Sequence, residues 1–270
     1  MDNDDTPVGR ILSRREALIL LGSASLGAAF LAACSDESPI AKATASAAGS
    51  PSATAATATA AASAAASATA AVAVPSCIVR PELTEGPFFV DAKLNRSDIR
   101  VEPSDNSTVA GTALVLTINV ASIATNACSA LVGAVVDVWQ CDAAGRYSDV
   151  QDQGADTRGK KFLRGSQVTD ASGKTQFTTI YPGWYPGRAT HIHFKIRRSV
   201  GGRTSEFTSQ FFFDEAISDE VFAKAPYLKP GNRTRNATDS IFRASGDKLT
   251  LALTKTATGY ASTFDIGLQA

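Results

Sequence analysis

From Leu114 onward, apolar and polar positions alternate in short runs, not along a helical stripe. Leu114 to Val120 ("LVLTINV") and Ala134 to Trp139 ("AVVDVW") are rich in β-branched and aromatic residues, as strands of a half-buried sheet are. Thr175 to Tyr181, His191 to Arg197 and Glu206 to Phe213 read the same way. Lys248 to Lys255 and Tyr260 to Leu268 form a last pair about Thr258-Gly259. The linker after Val120 carries Asn126 and Cys128 and predicts a hairpin joining the first two strands. Only Asp214 to Ala223 reads as helix. Short strands punctuated by Gly and Pro predict an all-β domain, a β-sandwich of mixed or antiparallel strands, over residues 75–270. One such domain spans that length, and no internal repeat interrupts it.

The first 74 residues do not continue this texture. Ser13-Arg14-Arg15-Glu16 precedes an apolar run from Ala17 to Ala33, closed by Leu31-Ala32-Ala33-Cys34. A basic region, an apolar core and small residues before a cut site predict an export signal over residues 1–34, not a spanning helix. The paired arginines point to the twin-arginine route, although Ala17 stands where that motif usually carries Phe. Leu-Ala-Ala-Cys resembles a bacterial lipobox, with Cys34 as lipidation site. The plainer alternative is a Sec signal cut near Ala33 without lipid. Residues 35–74 are dominated by Ala, Ser and Thr, with no recurring apolar face, and predict a flexible tether.

Charge excludes two partner classes. Lys and Arg total 26, as do Asp and Glu, and the pI is near 6.7. Neither the basic footprint of a nucleic-acid binder nor a polybasic lipid-binding patch is present. Membrane contact is expected only through the N-terminal lipid. Beyond Cys34 the cysteines are Cys77, Cys128 and Cys141. Outside the cytoplasm two of them are expected to pair, although sequence does not fix which. Cys77 with Cys128 is the favoured pair, because it pins the first segment of the domain to a loop.

The chain has two histidines, His191 and His193. Alternation along a strand points both to one face, with Cα atoms roughly 6.5–7 Å apart. Two imidazoles so placed can share a metal, or each can simply bond a carbonyl. With no third histidine, further ligands must be Asp, Glu, Cys or Tyr. Of five tyrosines, Tyr181 and Tyr185 lie just upstream and Tyr147 follows the Ala134 to Trp139 strand. A phenol with a pKa of about 10 needs a strongly acidic cation to ionise near neutrality, which favours ferric iron over zinc.

The segments "TEGPFF", "VDVWQCDAAGRYSD", "FLRG…TDASG", "TIYPGWYPGRATHIHF" and "SQFFFDE" together resemble the intradiol ring-cleavage dioxygenases, in their order and spacing. The likeness is to an exported branch similar to protocatechuate and catechol dioxygenases, and it covers nearly all of residues 75–245. It implies an intradiol dioxygenase-like sandwich with long active-site loops. It also implies a non-haem Fe(III) site with Tyr147, Tyr185, His191 and His193 as ligands. Tyr185 is then the labile ligand and base, and Tyr181 a packing residue. Arg188 and Gln210 match the family's pocket-facing arginine and glutamine. Thr84, Gly86 and Pro87 match the segment that approaches the substrate, and Trp184 lies beside the second tyrosine. A Trp that some protocatechuate enzymes carry just after that tyrosine is absent, Gly187 standing there. The implied reaction joins O2 to a catechol and cleaves its ring between the two hydroxyl-bearing carbons, giving a cis,cis-muconate-type diacid. A low-complexity tether in place of the cytosolic enzymes' helical pairing segment implies a monomer or loose homodimer. The rival readings are a surface-tethered β-sandwich that binds without catalysis, and a copper oxidase, which would want a third imidazole or a soft ligand.

Overall fold

The computed structural model describes residues 77–270, apart from 126, 153 and 154. The export signal with Cys34, and the tether, lie outside the described residues. Eleven strands are described: β1 (Ala113–Ala124), β2 (Ala127–Ala130), β3 (Val135–Trp139), β4 (Gln151–Asp152), β5 (Ala155–Asp156), β6 (Arg164–Val168), β7 (Lys174–Ile180), β8 (His191–Val200), β9 (Arg203–Phe212), β10 (Thr254–Lys255) and β11 (Gly259–Gln269). Two short α-helices follow β9: α1 (Glu215–Phe222) and α2 (Ser240–Ser245).

The strands form two sheets. In the first, β1 pairs in parallel with β11 along one edge; β7 and then β2 take its other edge, both antiparallel. The second sheet has the order β6-β3-β8-β9, antiparallel throughout. Strand alternation fills the space between them. Leu114, Leu116, Ile118 and Val120 of β1 meet Val136, Val138, Ile192, Phe194, Ile196 and Phe211 from the second sheet. Phe194 stacks on Phe211 at 4.2 Å, and Phe264 of β11 meets Phe211 edge-on at 4.7 Å.

Three expectations are corrected. The strands at 114–120 and 134–139 do not form a hairpin. The hairpin is β1 with β2, turning between Ala124 and Ala127, and β3 crosses to the other sheet. Ser240–Ser245 is a second helix, started by Asp239, whose carboxylate accepts from Ile241 N and Phe242 N. Much of 248–255 is not strand. Gly246–Leu249 is a 3-10 turn, and only Thr254–Lys255 pairs with β11.

The site is positioned by β8. Its residues 192, 194 and 196 point into the core, so 191 and 193 point to the outer face of the second sheet. That face is also buried, because the segment 84–92, the 141–150 turn and the 181–190 loop lie over it. All six residues from His191 to Ile196 are buried. The chain that leads into the covering segment is anchored at several points. A disulfide joins Cys77 to Cys128 of β2, Leu83 N donates to Thr208 O at 3.0 Å, and Ser209 Oγ donates to Pro81 O at 2.8 Å. Cys141 is buried, its thiol donating to Gly183 O at 3.5 Å.

Candidate metal centre

Three side chains converge on one atom of a fourth, and the four come from three elements. The Nε2 of His191 lies 3.0 Å from His193 Nε2, 3.1 Å from the Tyr185 hydroxyl and 3.3 Å from the Tyr147 hydroxyl. The imidazoles come from neighbouring positions on one face of β8, with rings 4.6 Å apart. Tyr147 comes from the turn after β3, where the Asp142 carboxylate accepts from Ala144 N and Arg146 N, each at 2.9 Å. Tyr185 comes from the loop between β7 and β8. That loop and the Asp142 turn interlock, with Gly183 N donating to Asp142 O at 3.1 Å. A Cβ on Gly183 would lie 2.3 Å from Asp142 O, and one on Gly145 would lie 2.3 Å from Trp184 O. Neither approach is open to a larger residue, and both set the spacing of the two tyrosines.

The donor set fits a cation. His191 Nδ1 lies 2.7 Å from the Ala189 carbonyl, which only accepts, so Nδ1 carries the proton and Nε2 a lone pair. One lone pair does not accept from three polar atoms at once. Burial, then His191 beside it, hold His193 well below the ordinary histidine pKa, in its neutral form. Separations of 3.0–3.3 Å match donors that share one ion through bonds of about 2.0–2.1 Å. The chemistry is hard oxygen with borderline nitrogen, and no sulfur among the converging atoms.

Aromatic rings enclose the cluster. Trp139 lies flat on His193, centroids 5.0 Å apart and planes at 8°. Phe88 stacks on Tyr147 at 4.5 Å and meets Tyr185 edge-on at 6.5 Å. Tyr147 is buried and Tyr185 only partly so. Arg164, itself buried, donates from Nη1 to Phe88 O at 2.6 Å and from Nη2 to Ser148 O at 2.6 Å, tying the covering segment to the residue after Tyr147. Burial pulls this guanidinium down to about 10, against the opposing pull of Tyr147 and Asp149.

Beside the cluster runs a buried polar chain. Arg188 Nε donates to Asp239 Oδ2 at 3.1 Å, Arg188 Nη2 donates to Gln210 Oε1, and Gln210 Nε2 donates to Thr84 O at 2.9 Å. Gln210 stands opposite His193 on β9. An arginine only donates and a carbonyl only accepts, so the Gln210 amide has a single fitting orientation. Thr84 Oγ1 accepts from Gly86 N at 3.2 Å, and Pro87 turns the chain into Phe88. The Trp184 ring lies elsewhere. It sits under the Lys229 ammonium at 4.1 Å, in a groove with Asp219, Phe222 and Tyr227. Tyr181 lies in the core, its hydroxyl 2.7 Å from Ser218 Oγ. Phe88, Arg164 and Asp239 carry no role in the sequence reading. "FLRG" sets Arg164 directly after Phe162 and Leu163, a pattern that names no partner for its charge.

An all-β sandwich carrying two tyrosines and two histidines on the outer face of one sheet is the class these features define. A profile of the family described as "Dioxygenase" matches residues 84–270. The structure of an intradiol ring-cleavage dioxygenase from Tetranychus urticae is 32% identical, covers 72% of this chain and 95% of its own, and superposes with a TM-score of 0.62. The protocatechuate 3,4-dioxygenase beta chain of Burkholderia cepacia is 39% identical over 103 residues, 34% of this chain and 43% of that one. A chlorocatechol 1,2-dioxygenase from Pseudomonas sp. (strain P51) is 30% identical over 100 residues, 30% and 37% of the two chains. The match thus spans less than half the length of these two curated relatives. The chain belongs to the intradiol ring-cleavage dioxygenase family.

Proposed function

We propose that the protein is a non-haem Fe(III) intradiol dioxygenase. It takes a catechol-type substrate and O2 and opens the ring between the hydroxyl-bearing carbons, giving a cis,cis-muconate-type diacid. The observation that carries this reading is the convergence of Tyr147, Tyr185 and His193 on the lone pair of His191 Nε2. Tyr147, Tyr185, His191 and His193 would hold the iron. When bound, ferric iron would supply Lewis acidity toward the catechol.

The residues divide the remaining work. Tyr147 is buried under Phe88 and braced through Ser148 by Arg164, so it stays in place. Tyr185 is the more exposed of the two, and its oxygen would be the one to take a proton from the entering catechol hydroxyl. Arg188 is fixed before substrate arrives and offers positive charge to an electron-rich ring at no cost in reorganisation. Gln210 holds Arg188 from the β9 side, and its own amide is held by Thr84. Phe88 and Trp139 keep water from the tyrosine and histidine donors.

The reading extends to place and assembly. The export signal and tether put the domain outside the cytoplasm, lipid-anchored at Cys34 or secreted, as a monomer or loose homodimer. A copper oxidase is disfavoured, since the chain has no third histidine. Oxygen uptake with catechol, followed by product identification, tests the function. One O2 consumed per catechol, with a muconate-type diacid formed, is expected. A ring-intact quinone or no uptake by iron-loaded protein contradicts it.

A further inference from the structure

Asp239 is the carboxylate on which the polar chain ends, and it does more than start α2. It is 1% exposed. Its Oδ2 accepts from Arg188 Nε at 3.1 Å and from Ala189 N at 2.6 Å. Its Oδ1 accepts from Ile241 N at 2.7 Å and Phe242 N at 3.0 Å. The carbonyl of the same Ala189 receives His191 Nδ1 at 2.7 Å. One side chain thus stands behind both Arg188 and His191, through two routes that meet at adjacent residues.

We propose that Asp239 is a positioning residue: it fixes the guanidinium of Arg188 and, by holding the backbone of Ala189 at its N–H, the carbonyl that sets the tautomer and tilt of His191. Four N–H donors share its two oxygens. An amide has one acceptor oxygen, so asparagine satisfies the helix cap or the clamp, but not both. Serine is a good helix cap and too short to reach Arg188 and Ala189 together. Outer partners of this kind set ring orientation and ligand basicity, and their loss typically costs about 10–100-fold in affinity or activity. The part of the proposal that concerns Arg188 rests on the dioxygenase reading, whereas the His191 part does not.

The test uses the full chain, Asp239→Asn, with Asp214→Asn as control. Asp214 caps α1 through Ala216 N and Ile217 N, and none of these bonds reaches the site. Imidazole 15N spectra of metal-free protein are simple to assign, because the chain has two histidines. Wild type and D214N are expected to hold His191 as the Nδ1-protonated tautomer, and D239N to lose that preference. With iron loaded, D239N is expected to retain metal while kcat for catechol falls on the order of tenfold or more relative to D214N. If D239N does not fold, Asp239→Ser keeps the cap and carries both readouts. An unmoved His191 tautomer overturns the proposal, as does a kcat within about twofold of the control. If wild type itself cleaves no catechol, the dioxygenase reading fails, and the tautomer measurement still decides whether Asp239 holds His191.

Discussion

Phe88 lies flat against Tyr147, ring centroids 4.5 Å apart and planes at 22°. The contact joins the segment that precedes the first strand to the turn after β3, and it roofs the tyrosine side of the cluster. Phe88→Ala removes this stack and part of a half-buried ring. The expected cost is about 1–3 kcal/mol in urea unfolding. Iron content is expected to stay, since no donor is lost, while KM for catechol rises because the wall above Tyr147 is gone.

Gly183 sets the distance between the two tyrosine loops. Its Cβ position lies 2.3 Å from Asp142 O and 2.6 Å from Ala143 O, backbone atoms that cannot rotate aside. Gly183→Ala is expected to push the Tyr185 loop off the Tyr147 turn. Metal titration should show weaker iron binding, with a stability loss of about 1–3 kcal/mol. Unchanged iron affinity would mean that the interlock does not set the tyrosine spacing.

The Cys77–Cys128 disulfide closes a loop of sequence separation 51, and loop entropy puts its contribution at about 4 kcal/mol. Cys77→Ser/Cys128→Ser is expected to lower Tm by roughly 10 °C. Cys141→Ser in the same assay is expected to leave the disulfide count, read by mass spectrometry under alkylation, unchanged.

Acid should destabilise the fold through Glu102. Its buried carboxylate accepts from Lys161 N at 2.6 Å, Phe162 N at 3.0 Å and Ser104 N at 3.1 Å. Burial alone would raise its pKa, but these bonds outweigh burial and leave it lowered. A depressed folded-state pKa contributes stability that is complete above the unfolded value, about 4.3, and is lost as pH falls below it. Stability is therefore expected to decline from about pH 4.5 downward. Glu102→Gln should start less stable at neutral pH and show a shallower decline, measured by urea unfolding across pH 2–5, roughly the window set by these carboxylates.

Sequence pattern carried the strands whose two faces differ in chemistry. The alternation of β8 placed His191 and His193 on one face and Ile192 and Phe194 on the other, as the structure has them. The error at β1 and β3 came from chain order. Neighbouring strands usually pair, yet β2 follows β1 at once and takes the β1 edge instead. The helix Ser240–Ser245 is too short for a periodic stripe, and its start depends on one capping carboxylate. The resemblance named Tyr147, Tyr185 and both histidines; the structure adds what holds them. Asp239 meets Arg188 and Ala189 across 51 and 50 residues, and Phe88 meets Tyr147 across a similar gap. Nothing local in "GPFF" or "TDSIF" marks which side chain turns toward the site.

The central claim is one trivalent iron held by two phenolates and two imidazoles, and metal content with a visible spectrum tests it most directly. Iron-loaded wild type is expected to bind one iron per chain and to be burgundy, from phenolate-to-iron charge transfer. Tyr147→Phe and His193→Ala are expected to lose the metal. Tyr185→Phe is expected to retain iron and turn over slowly. A colourless protein that holds zinc or copper in preference to iron, or a Tyr147→Phe/Tyr185→Phe double variant with the wild-type colour, would contradict the account.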